Sequence, residues 1–238
     1  MTILAFDTAT PATTVALSGV GDAVFTARHD PLPGERPGHA THLLPLTARV
    51  LETAHIGWEQ VDRIAVGIGP GTFTGLRIGI ATARALARAR DLPLVAVSTL
   101  QSLALARPRP GSTPAGLDVR LAVLDARRGE VFAASWRMDE AEEFDRALLL
   151  PHVLAPEALA DLVAPLGPTT LAIGDGAIAF REVLERSGSF IPDADSPLHR
   201  VTAMNHCRLA GCAEGSVPGE VRPDYLRAPD AEIAHRSR

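Results

Sequence analysis

The stretch Ile64-Ala-Val-Gly-Ile-Gly-Pro-Gly-Thr-Phe-Thr-Gly-Leu-Arg-Ile-Gly-Ile-Ala-Thr-Ala-Arg84 decides how this chain folds. It opens with an apolar run over residues 64–66, which is typical of a buried strand. The glycines that follow allow backbone angles that other residues avoid, and they let other groups approach the main chain closely. Residues 75–90 then have helical periodicity. The pattern predicts a strand, a glycine loop and a helix in direct succession.

A glycine loop at the start of a helix is suited to binding an anion, because free N–H groups and the positive end of the helix dipole point to one place. The loop has neither the Gly-Lys-Ser/Thr of a P-loop nor the Gly-x-Gly-x-x-Gly fingerprint with a later acidic residue. Thr72 or Thr74 is the expected helix cap. Two interpretations stay open, an anion site and a turn that only lets the helix pack closely. The candidates for anion or nucleotide binding are Asp7, Thr8, Gly69, Gly71, Thr72, Thr74, Gly75 and Arg77.

The composition is that of a globular protein with a hydrophobic core. Of the 238 residues, 46% are hydrophobic and 21% are charged, and the net charge is −5. This acidic balance argues against a protein that holds nucleic acid by itself. Two cysteines make neither a disulfide framework nor a zinc pattern. Since the first residues do not resemble a signal peptide and no run of about 18 apolar residues occurs, we expect a cytoplasmic location and no membrane partner.

The opening of the chain recurs in its second half. Ile3-Leu-Ala-Phe-Asp7 is echoed by Leu121-Ala-Val-Leu-Asp125, and Thr13-Thr-Val-Ala-Leu17 by Val131-Phe-Ala-Ala-Ser135, both at an offset of 118 residues. The strand at Ile64 has a further echo at Leu171, and each is followed by a helix. The repeat predicts two related α/β halves, each opening with strand, aspartate, turn and strand. Chance similarity between valine- and alanine-rich strands is the alternative.

Turn residues suggest where the halves divide. Residues 107–116 contain three prolines and two glycines and are the expected linker. We predict an N-terminal α/β subdomain over residues 1–106 and a C-terminal one over 117–200. A helix at about 201–215 is expected to pack back on the first subdomain, and residues 216–238 to form an extended tail.

On the basis of its motifs, the chain resembles the TsaB (YeaZ) family. The stretches that carry the resemblance are Ile3-Leu-Ala-Phe-Asp-Thr-Ala-Thr10, Gly67-Ile-Gly-Pro-Gly-Thr-Phe-Thr-Gly-Leu-Arg-Ile-Gly79, residues 93–100, Asp125-Ala-Arg-Arg-Gly-Glu-Val131 and Pro223-Asp-Tyr-Leu-Arg227. They span nearly the whole chain, although residues 138–200 match only loosely. The resemblance implies a duplicated actin/hexokinase-like fold (ASKHA, ribonuclease H-like), which agrees with the repeat.

The resemblance also implies a function. Members of this family are non-catalytic partners of TsaD, the paralogue that binds metal and nucleotide and transfers a threonylcarbamoyl group to an adenosine of tRNA. It implies a heterodimer with a TsaD-like paralogue, a TsaE-like ATPase as third partner, and contact with tRNA only through the complex. When the partner is absent, a homodimer and a monomer both stay open. ATP or ADP and a metal ion would then belong to the partner, and this chain would require no cofactor.

A second hypothesis is a free-standing ATPase or small-molecule kinase of the actin/hexokinase class. Such an enzyme needs a phosphate loop such as Asp-x-Gly-Thr in each half, whereas Asp7-Thr-Ala-Thr lacks the glycine and Asp125-Ala-Arg-Arg is bulky. His39-Ala-Thr-His42 is interpreted as a surface or helix-start pair rather than a metal pair, because no third ligand is evident. No zinc motif and no nucleophile with a base are found, so we predict no catalytic residues and no peptidase activity.

Further residues have two interpretations each. Asp7 and Asp125 either hold an ion beside a phosphate or close a turn at a strand end; the turn is favoured for Asp125 and neither for Asp7. Arg77 either serves an anion or joins Arg84 and Arg88 in a solvated or partner-facing stripe. Tyr225 is expected to anchor the tail against a surface.

The partner is predicted to dock on two helices, because small residues at four-residue spacing let another helix approach closely. The alternative is that the small face packs inside its own domain. The predicted interface residues are Leu43, Leu46, Val50, Gly75, Gly79 and Ala83.

Overall fold

The computed structural model describes residues 1–32, 34–139 and 144–227. The chain divides into two units, one formed by Met1–Ser102 together with the chain from Val201 onward, the other by Leu103–Arg200. Within the described residues, none of the helices combines the length and the apolar character that crossing a membrane requires. The strands and helices in chain order are β1 (Ile3–Asp7), β2 (Thr13–Val20), β3 (Ala23–His29), α1 (His39–Thr53), β4 (Arg63–Gly69), α2 (Phe73–Arg90), β5 (Leu94–Ser98), α3 (Thr99–Ala104), β6 (Val119–Arg127), β7 (Glu130–Met138), β8 (Phe144–Leu154), α4 (Pro156–Val163), β9 (Thr170–Ile173), α5 (Asp175–Ala179), α6 (Arg181–Glu185) and α7 (Ala203–Cys212).

The first unit is built on a five-stranded sheet with the order β3-β2-β1-β4-β5. β1 pairs antiparallel with β2 and parallel with β4, and β4 pairs parallel with β5. All five residues of β1 are buried, as expected of a central strand that is covered on both faces. The end of β1 and the end of β4 therefore lie side by side, which positions the candidate site.

Helices cover both faces of this sheet. On one face, Leu4 and Phe6 of β1 belong to a core cluster with Leu43 and Val50 of α1 and Ile80 of α2. On the other face, α7 packs against the alternate side chains of the strands, with Cys207 in a cluster that includes Ile3 and Ala5. α7 buries Ala203, Cys207 and Ala210 in this cluster and is therefore a layer of the unit.

The second unit repeats the central arrangement of the first. Its four-stranded sheet has the order β8-β7-β6-β9. β6 pairs antiparallel with β7 and parallel with β9, as β1 does with β2 and β4. α4, α5 and α6 bury their apolar side chains, among them Leu159, Ala177 and Leu184, in a core cluster with Leu121 and Val123 of β6. The predicted duplicated α/β fold is confirmed.

The start of α2 differs from the sequence prediction. α2 begins at Phe73, and neither Thr72 nor Thr74 caps it in the way predicted. Thr72 occupies the N-cap position without a side-chain hydrogen bond to the helix, and Thr74 lies within the first turn.

Candidate functional site

The glycine loop leaves the end of β4 directly beside Asp7, the last residue of β1. A Cβ atom on Gly67 would lie 1.8 Å from Oδ2 of Asp7, so only glycine leaves room for this carboxylate. Gly69 follows with φ of +112°, a conformation that side chains disfavour. The glycines thus bring the β4 main chain against the end of β1.

Asp7 is fully enclosed, with an exposed fraction of 0%. Its Oδ1 accepts a hydrogen bond from the N–H of Ala9 at 2.7 Å. Its Oδ2 accepts one from the hydroxyl of Thr99 at 2.8 Å and lies 3.0 Å from Nε2 of His206. Burial by itself would raise the pKa of Asp7, but the hydrogen bond and charge of His206 and the bonds from Ala9 and Thr99 lower it. The carboxylate is therefore ionised and fully engaged by its own unit.

The network continues behind His206, which is also fully buried. Nδ1 of His206 lies 2.7 Å from the hydroxyl of Ser102 and 3.1 Å from the carbonyl oxygen of Thr202. Ser102, His206 and Asp7 follow one another as in a hydrolase triad, but all three have an exposed fraction of 0%. A nucleophile must reach its substrate, so this chain of hydrogen bonds joins β1, α3 and α7 and does not form a hydrolytic site.

Sequence reasoning did not find this network. Thr99 and His206 lie 92 and 199 residues from Asp7, so no local spacing links them. A serine, a threonine or a histidine on a helix carries no motif that would single it out.

Thr8 is likewise inaccessible and is not an anion ligand in this structure. Its exposed fraction is 0%, and its hydroxyl donates to the carbonyl oxygen of Gly75 at 2.7 Å. A Cβ atom on Gly75 would lie 1.9 Å from the carbonyl oxygen of Thr8, and one on Gly79 would lie 2.3 Å from its hydroxyl. The side chains of Asp7 and Thr8 are thus hydrogen-bonded within their own unit, which favours the packing interpretation for these two residues.

The rest of the predicted anion site lies around the loop. A Cβ atom on Gly71 would lie 2.4 Å from the carbonyl oxygen of Ala9, which also accepts from the N–H of Thr72 at 2.7 Å. These contacts favour the packing interpretation of the glycines. Gly69 and Gly75 are buried, whereas Thr72, Thr74 and Arg77 are exposed. For the exposed residues, anion binding stays a prediction.

Two of the three arginines in the predicted α2 stripe, Arg77 and Arg84, contact the C-terminal part of their own chain. Arg77 lies over the ring of Phe73, 3.7 Å from its centroid, and its Nε donates to the hydroxyl of Tyr225 at 3.3 Å. Arg84 donates to the carbonyl oxygen of Val221. Both therefore bind residues 216–227 of their own chain, here called the tail strap. Arg88 is exposed.

The tail strap runs along the first unit from the edge strand β5 towards the glycine loop. Ser216 bridges Leu94 at the start of β5. The N–H of Asp224 donates to the carbonyl oxygen of Ile68 at 2.7 Å. Tyr225 stacks on Phe73 with ring centroids 5.3 Å apart, which confirms that it anchors the tail.

The predicted interface residues lie mostly inside the unit. Leu43, Val50 and Ala83 are buried, with exposed fractions of 1%, 1% and 0%. Gly75 and Gly79 are buried against Thr8, and Leu46 is half-buried. The small face of α2 therefore packs within its own unit, as the alternative held, and docking of a partner at the predicted residues stays a prediction.

In the second unit, Asp125 has the turn role that was favoured for it. Its Oδ1 accepts from the N–H of Arg127 at 2.8 Å, and its Oδ2 from the guanidinium of the same residue at 3.0 Å. The N–H of Asp125 donates to the carboxylate of Asp175 at 3.0 Å. Arg127 therefore lies where a phosphate would have to approach Asp125.

The histidine pair at the start of α1 has no metal-like geometry. His39 is 3% exposed, and its Nδ1 lies 2.8 Å from the hydroxyl of Thr13. His42 stacks on His29 with ring centroids 3.6 Å apart and an interplanar angle of 15°. The part of the chain that the structure describes holds no group of three or more His, Cys, Asp or Glu side chains suited to a metal ion.

The sheets of the two units share a strand pattern. Each unit also has an aspartate near the end of its first strand, one that ends β1 and one that precedes the β6–β7 turn. Together these features define a duplicated α/β protein of the actin/hexokinase-like class. Comparisons with known proteins narrow this class. The family model described as TsaD, tRNA N6-adenosine threonylcarbamoyltransferase, matches residues 36–208. The chain is 33% identical over 234 residues to an Escherichia coli K12 protein named tRNA threonylcarbamoyladenosine biosynthesis protein TsaB. The aligned residues cover 95% of each chain.

Solved structures agree with this relationship. A Pseudomonas aeruginosa crystal structure, described as an uncharacterized protein with similarity to peptidase YEAZ, superposes with a TM-score of 0.75 at 30% identity. It covers 95% of this chain and 99% of its own. A second structure, YeaZ from Pseudomonas aeruginosa, gives a TM-score of 0.71 at 29% identity and covers 94% and 100%. The chain belongs to the TsaB (YeaZ) family.

Proposed function

We propose that this chain is a non-catalytic partner subunit that supports a TsaD-like paralogue in forming N6-threonylcarbamoyladenosine in tRNA. The name of the Escherichia coli relative places that protein in the biosynthesis of this nucleoside, and the relationship extends over 95% of both chains. The match of residues 36–208 to the TsaD model fits descent from a common ancestor with the enzyme.

The observation that carries the non-catalytic role is the enclosure of Asp7. An acidic residue at the end of the first strand serves a nucleotide site only if its carboxylate can reach a bound ion or water. Here Ala9, Thr99 and His206 occupy both oxygens. Asp125, its counterpart in the second unit, is bonded to Arg127. In this proposal ATP or ADP and the metal ion belong to the partner.

The partner of this proposal is a TsaD-like paralogue, with a TsaE-like ATPase as third member. Contact with tRNA runs through the complex, since a chain with net charge −5 offers little attraction to phosphates. The exposed parts of α1, including Leu44 with an exposed fraction of 51%, remain accessible to a partner, unlike the buried small face of α2.

Reconstitution with the TsaD-like paralogue of the same organism tests the proposal. The two chains are co-expressed, and their mass in solution and the formation of N6-threonylcarbamoyladenosine on tRNA are measured with and without this chain. We expect a heterodimer and a loss of product formation when this chain is omitted. Undiminished product without this chain, or no association with the paralogue, would contradict the proposal.

A measurement of ATP hydrolysis distinguishes the proposed function from the alternative, a free-standing ATPase or kinase. We expect little or no hydrolysis by the purified chain alone. A turnover near 1 per second, which is common for enzymes, would favour the alternative if it is lost in Asp125→Asn. Asp125→Asn suits this control better than Asp7→Ala, because Asp125 is half-buried near the end of β6 whereas Asp7 is part of the buried network.

A further inference from the structure

A cavity of about 210 Å³ lies between the second half of α2 and the tail strap. One wall is formed by Arg84, Ala85 and Arg88 of α2, and the other by Pro218 and Gly219 of the strap. None of these lining residues is acidic. The cavity is separate from the glycine loop and from the Asp7 network.

The two arginines place like charges one helical turn apart. Residues four positions apart on a helix are neighbours, and like charges at this spacing repel each other. Neither Arg84 nor Arg88 forms an ion pair with a carboxylate among the described residues. An anion between them would remove this repulsion.

Both guanidinium groups have hydrogen-bonding capacity to spare. One terminal nitrogen of Arg84 donates to the carbonyl oxygen of Val221. Its Nε lacks a hydrogen-bond partner within the described part of the chain but is itself buried, so an anion would meet the terminal nitrogens of this guanidinium group. Arg88 is exposed at the other end of the cavity. Because a guanidinium group presents paired N–H donors that match the oxygens of phosphate, this donor set is suited to a phosphate-type anion.

The size of the cavity limits the ligand. Pockets that enclose a drug-sized molecule have volumes of about 300–1,000 Å³, and one water in the liquid takes about 30 Å³. A volume of about 210 Å³ therefore suits a small anion and is too small to enclose a whole nucleotide.

We propose that the cavity between Arg84, Arg88 and the tail strap binds a small phosphate-type oxyanion of up to the size of pyrophosphate. The anion accepts hydrogen bonds from both guanidinium groups and lies against Pro218 and Gly219. Because the strap forms one wall, the bound anion also holds the strap on α2. This site does not depend on the proposed function, since it involves neither the paralogue nor tRNA.

Titration calorimetry of the full chain with pyrophosphate, at constant ionic strength, tests the site. We expect Arg88→Gln to weaken binding at least tenfold. Arg88 is the variant of choice because it is exposed and does not hold Val221, so the fold should be kept. Arg49→Gln, which removes the same charge from an exposed position of α1, is the matched control and should bind as the wild type does.

Hydrogen exchange locates the ligand independently of affinity. Pyrophosphate should slow amide exchange in residues 216–221 of the wild type and of Arg49→Gln, but not of Arg88→Gln. Equal affinities of the Arg88→Gln and Arg49→Gln variants, or unchanged exchange in the strap, would overturn the proposal.

A second arm separates a free anion from the phosphodiester backbone of RNA, which has the same chemistry. A short single-stranded RNA is titrated in place of pyrophosphate. We expect pyrophosphate to bind more tightly than the RNA and to show the stronger dependence on Arg88. Binding of RNA that depends on Arg88, without binding of pyrophosphate, would show that the site is not built for a free small anion.

Discussion

Asp7 is a charged side chain with no solvent contact, and its three hydrogen-bond partners come from three different parts of the chain. Removing one member of a buried, paired set leaves the remaining polar groups without partners in a medium of low dielectric constant. His206 would then lose the carboxylate that faces its Nε2. The role of Asp7 is therefore to stabilise the first unit.

Asp7→Ala should lower the free energy of unfolding by several kcal/mol, because the Ala9 N–H, the Thr99 hydroxyl and the His206 ring lose their acceptor and an unsatisfied buried group costs about 1–3 kcal/mol. Urea denaturation followed by circular dichroism measures it. Asp125→Ala is the control, because its carboxylate pairs with the exposed Arg127 and exposed pairs contribute about 0–1 kcal/mol. Equal losses in the two variants would show that the buried network does not stabilise the unit.

The free energy of unfolding should also decrease as the pH is lowered, because of His39. Burial lowers the pKa of His39, as do the neighbouring His29 and His42, against the opposing charge of Asp7. The unfolded chain then binds a proton near pH 6.5 that the folded chain does not, so stability is fully present above that pH and decreases below it. Asp7, whose pKa is also lowered, keeps its contribution above pH 3.8 and loses it in stronger acid.

Denaturation curves between pH 7.5 and 5 check the His39 effect. We expect the free energy of unfolding of the wild type to decrease over this range, with a slope of at most about 1.4 kcal/mol per pH unit for one proton. His39→Gln, which cannot be protonated, should show a flatter profile. Parallel profiles would mean that another group causes the loss.

At the scale of elements, the small residues of α2 let the helix pack closely on β1. The close approach of Gly75 and Gly79 to Thr8 fixes the helix on the end of β1. The sequence predicted the strand, the loop and the helix correctly, because hydrophobic period and glycine positions are local signals. It did not decide which neighbour the small face meets, because small residues at four-residue spacing suit a partner helix and an internal contact equally well.

Gly79→Leu should therefore destabilise the lone chain. Overpacking costs about 1–3 kcal/mol, and a Cβ atom at this position would already lie 2.3 Å from the hydroxyl of Thr8. Ala81→Leu adds a large side chain at an exposed position of the same helix and should change the melting temperature little. A Gly79→Leu variant that melts like the wild type but no longer binds the paralogue would restore the interface interpretation.

At the scale of the whole molecule, net charge governs contact with nucleic acid. With a net charge of −5, the lone chain should bind tRNA with a Kd no tighter than about 10⁻⁴ M at physiological salt, the weak end of non-specific binding. Fluorescence anisotropy with labelled tRNA at 50 and 200 mM salt measures it. Micromolar affinity that falls steeply with salt would reveal a basic surface that the net charge conceals.

The duplication was predictable at this scale and the polar network was not. A repeat of strand, aspartate, turn and strand at an offset of 118 residues is visible because the same local pattern occurs twice. The partners of Asp7 depend on where α3 and α7 pack, which is decided by burial of apolar side chains such as Cys207 and Ala203 in the sheet face. One sequence without the three-dimensional packing contains no signal for that choice.

The first unit is interrupted in the chain by Leu103–Arg200, and this affects how it folds during synthesis on the ribosome. Roughly 100 residues take about 5–20 s to synthesise at the usual rate. During that time β1 to β5 have been synthesised but α7 has not. One face of the sheet is therefore uncovered, and the contact between Asp7 and His206 cannot yet form. The earliest residues to emerge are thus among the last to be completed, and a nascent chain in this interval presents an open apolar face that chaperones recognise.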